Sequence, residues 1–335
     1  MRGGGSGSAH PVASAAVAFL AIVAGVCFAP APLAAQHEHH VRPPAEAGSD
    51  SAADAAARTR PPARAPRTIQ VRREDDLAAA LSGAVRGDTV RVRGAHHGDL
   101  RIDVPLLLAA VVGAGTGRAR LVGSGEGTTL TVAADSVEVR GFHISGSGIS
   151  LERDDAAVKL LRCEGCRIVD NRIDESLHGI YLLESNGTRL VGNDIEGIAR
   201  LEESQRGNGI HLYNSAANRL ERNRVRRTRD GIYFSFASDN EVSDNDVADL
   251  RYGLHYMYSD DNRFRGNRFE RNAAGAAIMF SKRIEFRGNV FSHHTGPRAF
   301  GILLQTSQDI VAEQNRIEGN RIGLFMDNAT RSLFA

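Results

Sequence analysis

Seven asparagines recur at Asn171, Asn193, Asn223, Asn245, Asn267, Asn289 and Asn315, with successive gaps of 22, 30, 22, 22, 22 and 26 residues. A second series, Gly179, Gly209, Gly231, Gly253, Gly275, Gly301 and Gly323, keeps step with it and lies eight residues after its asparagine in five of the seven coils. A fixed period of this length is the signature of a solenoid, in which each repeat is one supersecondary unit stacked on the next. The two irregular gaps fall in the same segment of the repeat. They place two extruded loops, Arg200–Gly207 and His294–Arg298, at one corner of the coil.

Apolar residues alternate around each turn. Three positions before the asparagines stand Ile168, Leu190, Leu220, Val242, Phe264, Phe286 and Ala312; two positions after them stand Ile173, Ile195, Val225, Val247, Phe269, Phe291 and Ile317. The residues one and three beyond each glycine, from Ile180 and Leu182 to Leu324 and Met326, are also apolar and read as inward-facing. Alternation over short runs is the strand signal, and no window holds a helical period. A single coil cannot bury its own apolar face, so the coils must stack with parallel strands roughly 4.8 Å apart. The asparagine amides then form a ladder that satisfies polar groups inside a turn. The expected fold is all-β: a right-handed parallel β-helix of about 22 residues per coil and about a dozen coils. Thr68–Val71, the amphipathic stretch Glu74–Ala84 and Gly87–Val92 read as strand, short capping helix and strand over the first coil. The next ladder position would be 337, beyond Ala335, so the 67–335 solenoid is expected to be truncated at its C-terminal end.

Upstream, Arg2, the apolar run Ala15–Ala29 and the small residues Ala34 and Ala35 read as a secretory signal peptide spanning 1–35. The apolar run is shorter than the roughly 20 residues needed to span a bilayer. Cys27 would leave with this signal. Residues 36–66 are rich in Ala, Pro and Arg without periodicity, and read as a disordered tether in which His37, His39 and His40 form a solvated cluster. Export leaves Cys163 and Cys166, spaced as Cys-Glu-Gly-Cys, with a local disulfide as the first expectation and a soft-metal site as the weaker one. A net charge of +1 gives no electrostatic footprint for nucleic acid.

One strand face departs from ordinary solvent-exposed composition. The outward positions two and four residues beyond each glycine hold Tyr181, His211, Tyr233, His255, Ala277, Leu303 and Phe325, then Leu183, Tyr213, Ser235, Met257, Met279, Gln305 and Asp327. None of these fourteen is lysine or arginine. An apolar and aromatic patch of this kind marks a ligand or partner site, with Tyr181, Tyr213, Tyr233 and Phe325 as its partner surface. Met257 and Met279 fall at the same outward position of adjacent coils, and His255 lies two residues before Met257 on the same face. Two thioethers and an imidazole are a donor set that suits Cu(I), because soft ligands select a soft ion. A purely aromatic docking surface is the alternative. His211 stands two coils earlier as a second station, and His293 and His294 in the corner loop read as a solvated pair, with an approach to Met279 as the alternative. Met326 points inward as core packing.

Polysaccharide chemistry is the competing class, since β-helices host lyases, hydrolases and epimerases. Hydrolysis requires two carboxylates about 5 to 9.5 Å apart, and elimination requires a base beside a cation. The outward strand positions supply one acid, Asp327, while Asp230 and Asp260 read as turn residues.

The run Arg251-Tyr-Gly-Leu-His-Tyr-Met-Tyr-Ser-Asp-Asp-Asn262, the segment Gly275-Ala-Ala-Ile-Met-Phe-Ser281, and Gly207-Asn-Gly-Ile-His-Leu-Tyr213 with Arg229-Asp-Gly-Ile-Tyr-Phe-Ser235 closely resemble the NosD family. That family matures nitrous oxide reductase in the periplasm. The likeness extends over most of residues 68–335, including Gly87-Asp-Thr-Val and Leu106-Leu-Leu, although family members usually run longer. The resemblance implies a non-enzymatic, periplasmic role in building the copper centre of nitrous oxide reductase. It also implies an ABC transporter membrane subunit as a partner, with a periplasmic copper chaperone as a candidate donor.

Overall fold

The computed structural model describes residues 64–111, 117–297 and 299–335. The signal peptide with Cys27, most of the tether with His37, His39 and His40, residues 112–116, and Arg298 lie outside the described residues.

The repeat folds as a parallel β-solenoid of three sheets with 12, 10 and 10 strands, and from the coil of Leu107–Ala110 onward each sheet takes every third strand of the chain. Register follows the sequence period. Ile168 pairs with Leu190, Leu190 with Leu220, and Leu220 with Val242, all of them buried. On the second sheet Phe269 sits opposite Phe291, their rings stacked at 5.1 Å, close to the expected coil spacing. Each fully buried ring of this kind contributes about 1.5–3 kcal/mol of transfer free energy.

The asparagine ladder is continuous. Each amide nitrogen donates to the next Oδ1, from Asn171 at 3.1 Å through Asn193, Asn223, Asn245 and Asn267 to Asn289 and Asn315 at 3.0 Å. A second ladder, Asn218, Asn240 and Asn262, closes another turn. The glycine series has a steric cause: a Cβ on Gly231 would collide with both Val247 and the Gly253 carbonyl of the next coil.

The cap forms as a shorter helix than the sequence suggests, Leu77–Ser82, with Asp76 as N-cap accepting from the Ala79 amide and Leu77 and Leu81 buried. The ordered body is already engaged at Arg64, whose guanidinium donates to buried Asp88 at 2.9 Å.

Four expectations are corrected. Cys163 and Cys166 are free and buried rather than disulfide-bonded. Cys163 occupies a ladder position normally held by serine, its amide donating to Ser185 Oγ at 3.3 Å; hydrogen bonding to Cys163 and burial push the Cys166 thiol up. His294 is not a loop residue. It is buried inside a third ladder, accepting from the Asn272 amide at Nδ1 and donating its own amide to Asn320 Oδ1, so the extrusion begins after it. Met326 keeps the inward register opposite Leu304 but is 53% exposed, because it lies on the last strand of its sheet. Asp230 is not a turn residue; it opens the strand Asp230–Ser235 and is 1% exposed.

Candidate ligand and metal site

The outer face of the glycine-strand sheet is built by register. Tyr181 stands opposite His211, His211 opposite Tyr233, and Tyr233 opposite His255. Their rings form a continuous pile, with centroid separations of 4.4, 4.5 and 4.7 Å. Behind this column lie His178, Asn208 and Asp230, the residues at which these strands begin or are entered.

Asp230 organises one end of the face. Its carboxylate accepts from Arg251 Nε at 2.8 Å and Nη2 at 2.5 Å, and from His255 Nδ1 at 2.8 Å. Burial alone would raise its pKa, but the His255 and Arg251 bonds outweigh it and hold the carboxyl at about 2. With Nδ1–H committed to a carboxylate, His255 presents the lone pair of Nε2. This is the arrangement that carboxylates impose on metal-ligating or proton-abstracting histidines.

Met257 and Met279 pair directly in the next outward column, both half-buried. The Tyr233 hydroxyl lies 3.8 Å from Met257 Sδ, so that ring bridges the histidine column and the sulfur pair. The face therefore brings Met257 and Met279 together, with His255 two residues along the same strand. It does not bring His293 or His294 to them. His211 is parted from the methionines by Tyr233 and lies instead beside His178, at a ring separation of 5.6 Å.

A cleft of about 230 Å³ opens over the histidine column, and its lining includes His178, His211, Arg229, Asp230, Tyr233 and His255. Leu151 and Asp154, from the segment before the strand Ala156–Leu161, line it as well. Tyr181 is 4% exposed, with Lys159 Nζ 5.2 Å from its ring centroid, so this ring is no open docking surface. Burial drives His178 down to about 4, and burial with the neighbouring imidazole takes His211 well below its ordinary value. Both are neutral near pH 7.

Sequence reading missed a surface beside the methionines. Phe236, Tyr258 and Phe280, which follow Ser235, Met257 and Met279, stack at 5.3 and 5.1 Å and are 53%, 47% and 41% exposed. All three adopt left-handed backbone, at φ of 53°, 50° and 52°, where a bulky side chain is unusual. Phe325 is 41% exposed on the last strand of its sheet, while Tyr213 and Tyr233 are half-buried.

Fold and face together define a parallel β-solenoid whose outer sheet carries histidine, carboxylate and thioether side chains. Among solved structures it is similar to an alginate lyase from Paenibacillus sp. str. FPU-7, with 15% identity, a TM-score of 0.59, and coverage of 78% of this chain and 99% of the lyase. It is also similar to DFA-IIIase from Arthrobacter chlorophenolicus A6 without its lid, at 15% identity and TM-score 0.54 over 73% of this chain and 83% of that one. Tailspike protein 2 of bacteriophage CBA120 aligns at 12% identity and TM-score 0.55, over 77% of this chain and 43% of the tailspike. Identities this low establish the fold alone. No curated protein matches the sequence. Residues 195–335 match the NosD family, described as periplasmic copper-binding protein, and this stretch contains His211, Tyr233, His255, Met257 and Met279. Among the described residues no helix is long and apolar enough to cross a membrane.

Proposed function

We propose that this chain is a periplasmic accessory protein that carries Cu(I) as cargo on the His255, Met257 and Met279 face during assembly of the copper centre of nitrous oxide reductase. The observation that carries this reading is the in-register methionine pair beside an imidazole whose Nε2 lone pair is fixed by Asp230. Thioethers and imidazole suit Cu(I), and a carboxylate behind the histidine orients such a ligand. The exposed Phe236, Tyr258 and Phe280 column flanks the pair and gives a partner somewhere to seat. In this reading the reductase docks there, and an ABC transporter membrane subunit and a copper chaperone act with it. Deleting the gene should yield reductase that lacks its catalytic copper centre; fully loaded reductase from the deletion strain would refute the proposal.

A second reading rests on one observation that the sequence did not anticipate. His255, held by Asp230, is a base with Arg251 beside it and Tyr233 packed edge-on against it, which is the kind of constellation that elimination from an acidic polysaccharide needs. The methionine pair has no role in that chemistry, and the family match favours copper. Purified protein should leave alginate and pectin intact; release of unsaturated products would transfer the assignment to a lyase.

A further inference from the structure

His178 and His211 are not explained by copper. The backbone amide of Asn208 donates to His178 Nδ1 at 3.0 Å, and a main-chain N–H has no alternative tautomer. A neutral His178 must therefore carry its proton on Nε2, which removes that nitrogen as a metal ligand and leaves it a hydrogen-bond donor. The Asn208 side-chain amide stands 3.4 Å from His211 Nδ1 and, by donating there, sets the same tautomer. Both Nε2 atoms are buried without a partner among the described residues. Buried donors left unmatched cost about 1–3 kcal/mol each, so their persistence in one cleft calls for an occupant.

The third group at this end of the cleft is Arg229. It is half-buried, has no carboxylate partner among the described residues, and its charge is felt by His178. Arg251, by contrast, is committed to Asp230. Among the described residues no group of three His, Cys, Asp or Glu side chains is placed to hold a metal ion. Two imidazole N–H donors and an uncommitted guanidinium match an acceptor with negative charge and two oxygens in a plane, which is a carboxylate.

We propose that the cleft over His178, His211 and Arg229 binds a small carboxylate-bearing ligand, independently of copper at the neighbouring methionines. The two imidazole nitrogens are closed off from solvent, so entry requires movement of the wall formed by Leu151 and Asp154. This inference does not rest on the copper reading, and the two fail separately.

The test uses a matched pair of probes, glucuronate and glucose, with acetate and inorganic phosphate alongside, titrated calorimetrically into the full chain. Glucuronate should bind at least tenfold more tightly than glucose, and acetate should compete with it. Arg229→Gln should weaken glucuronate at least tenfold with an unchanged melting temperature. The His178 Hε2 proton, observed by NMR in the parent chain, should shift on binding, and this readout holds even if the variant folds poorly. Equal binding of glucose and glucuronate, tighter binding of phosphate than of any carboxylate, no binding of any carboxylate, or a His178 Nε2 without a proton would each overturn the proposal.

Discussion

Asp230 shows how one residue can be invisible in sequence and central in structure. Its partners Arg251 and His255 stand 21 and 25 positions away, one coil on, and a turn assignment concealed that it opens a strand. The outward run of His255, Met257 and Met279 was legible because strand alternation alone fixes it, whereas His178 fell at a strand start outside that pattern. Removing the carboxylate with Asp230→Asn should cost about 2–3 kcal/mol by denaturant unfolding, below the usual figure for a buried pair because Arg251 keeps some solvent. The acid response should come in two stages. His178 has a folded value near 4 against 6.5, so its contribution is complete above pH 6.5 and is lost as pH falls toward 4, where the unfolded chain binds the extra proton. Asp230, at about 2 against 3.8, contributes above 3.8 and loses that contribution as pH falls through 2. Melting temperatures recorded from pH 8 to 2 should show both declines; a flat profile between pH 6.5 and 4 would contradict the buried neutral histidine.

At the scale of the element, the strands and their register were legible because period-two alternation locked to a 22-residue repeat admits one stacking. Turns were less so. His294 sits where Asn272 and Asn320 sit in their coils, and nothing in its flanking sequence separates a ladder histidine from a loop histidine. His294→Asn should restore the uniform ladder and flatten part of the decline between pH 6.5 and 4, since burial holds this imidazole at about 4 as well. The Cys163 and Cys166 segment was misread for a related reason: the spacing suggested a disulfide, but both side chains are drawn into the interior of the turns. The aromatic column went unnoticed because its residues lie just past the strand ends, in left-handed turns that alternation does not describe. Tyr258→Asn places a residue tolerant of that backbone, so thermal stability should hold or rise while reductase maturation falls. Loss of stability with intact maturation would remove the column from partner docking.

For the whole molecule, a rigid stack of coils converts positions 22 residues apart in sequence into neighbours about 5 Å apart, and this is how two isolated methionines become a pair. The same stacking separates the sulfur pair from the His178 and His211 end of the face, giving one sheet two chemically distinct stations. Met326 is a built-in control: it has the same side chain, lies two coils on, and points to the other side of the sheet. Leucine keeps the volume of methionine and removes the donor, so such exchanges cost less than about 1.5 kcal/mol while abolishing thioether ligation. The decisive measurement is anaerobic Cu(I) titration of the full chain against a competing chelator, comparing the parent with Met257→Leu/Met279→Leu and with Met326→Leu. The parent and Met326→Leu should bind with the same affinity and the double variant at least tenfold more weakly, with melting temperatures alike; equally tight binding by the double variant would place copper elsewhere on the chain and contradict the site.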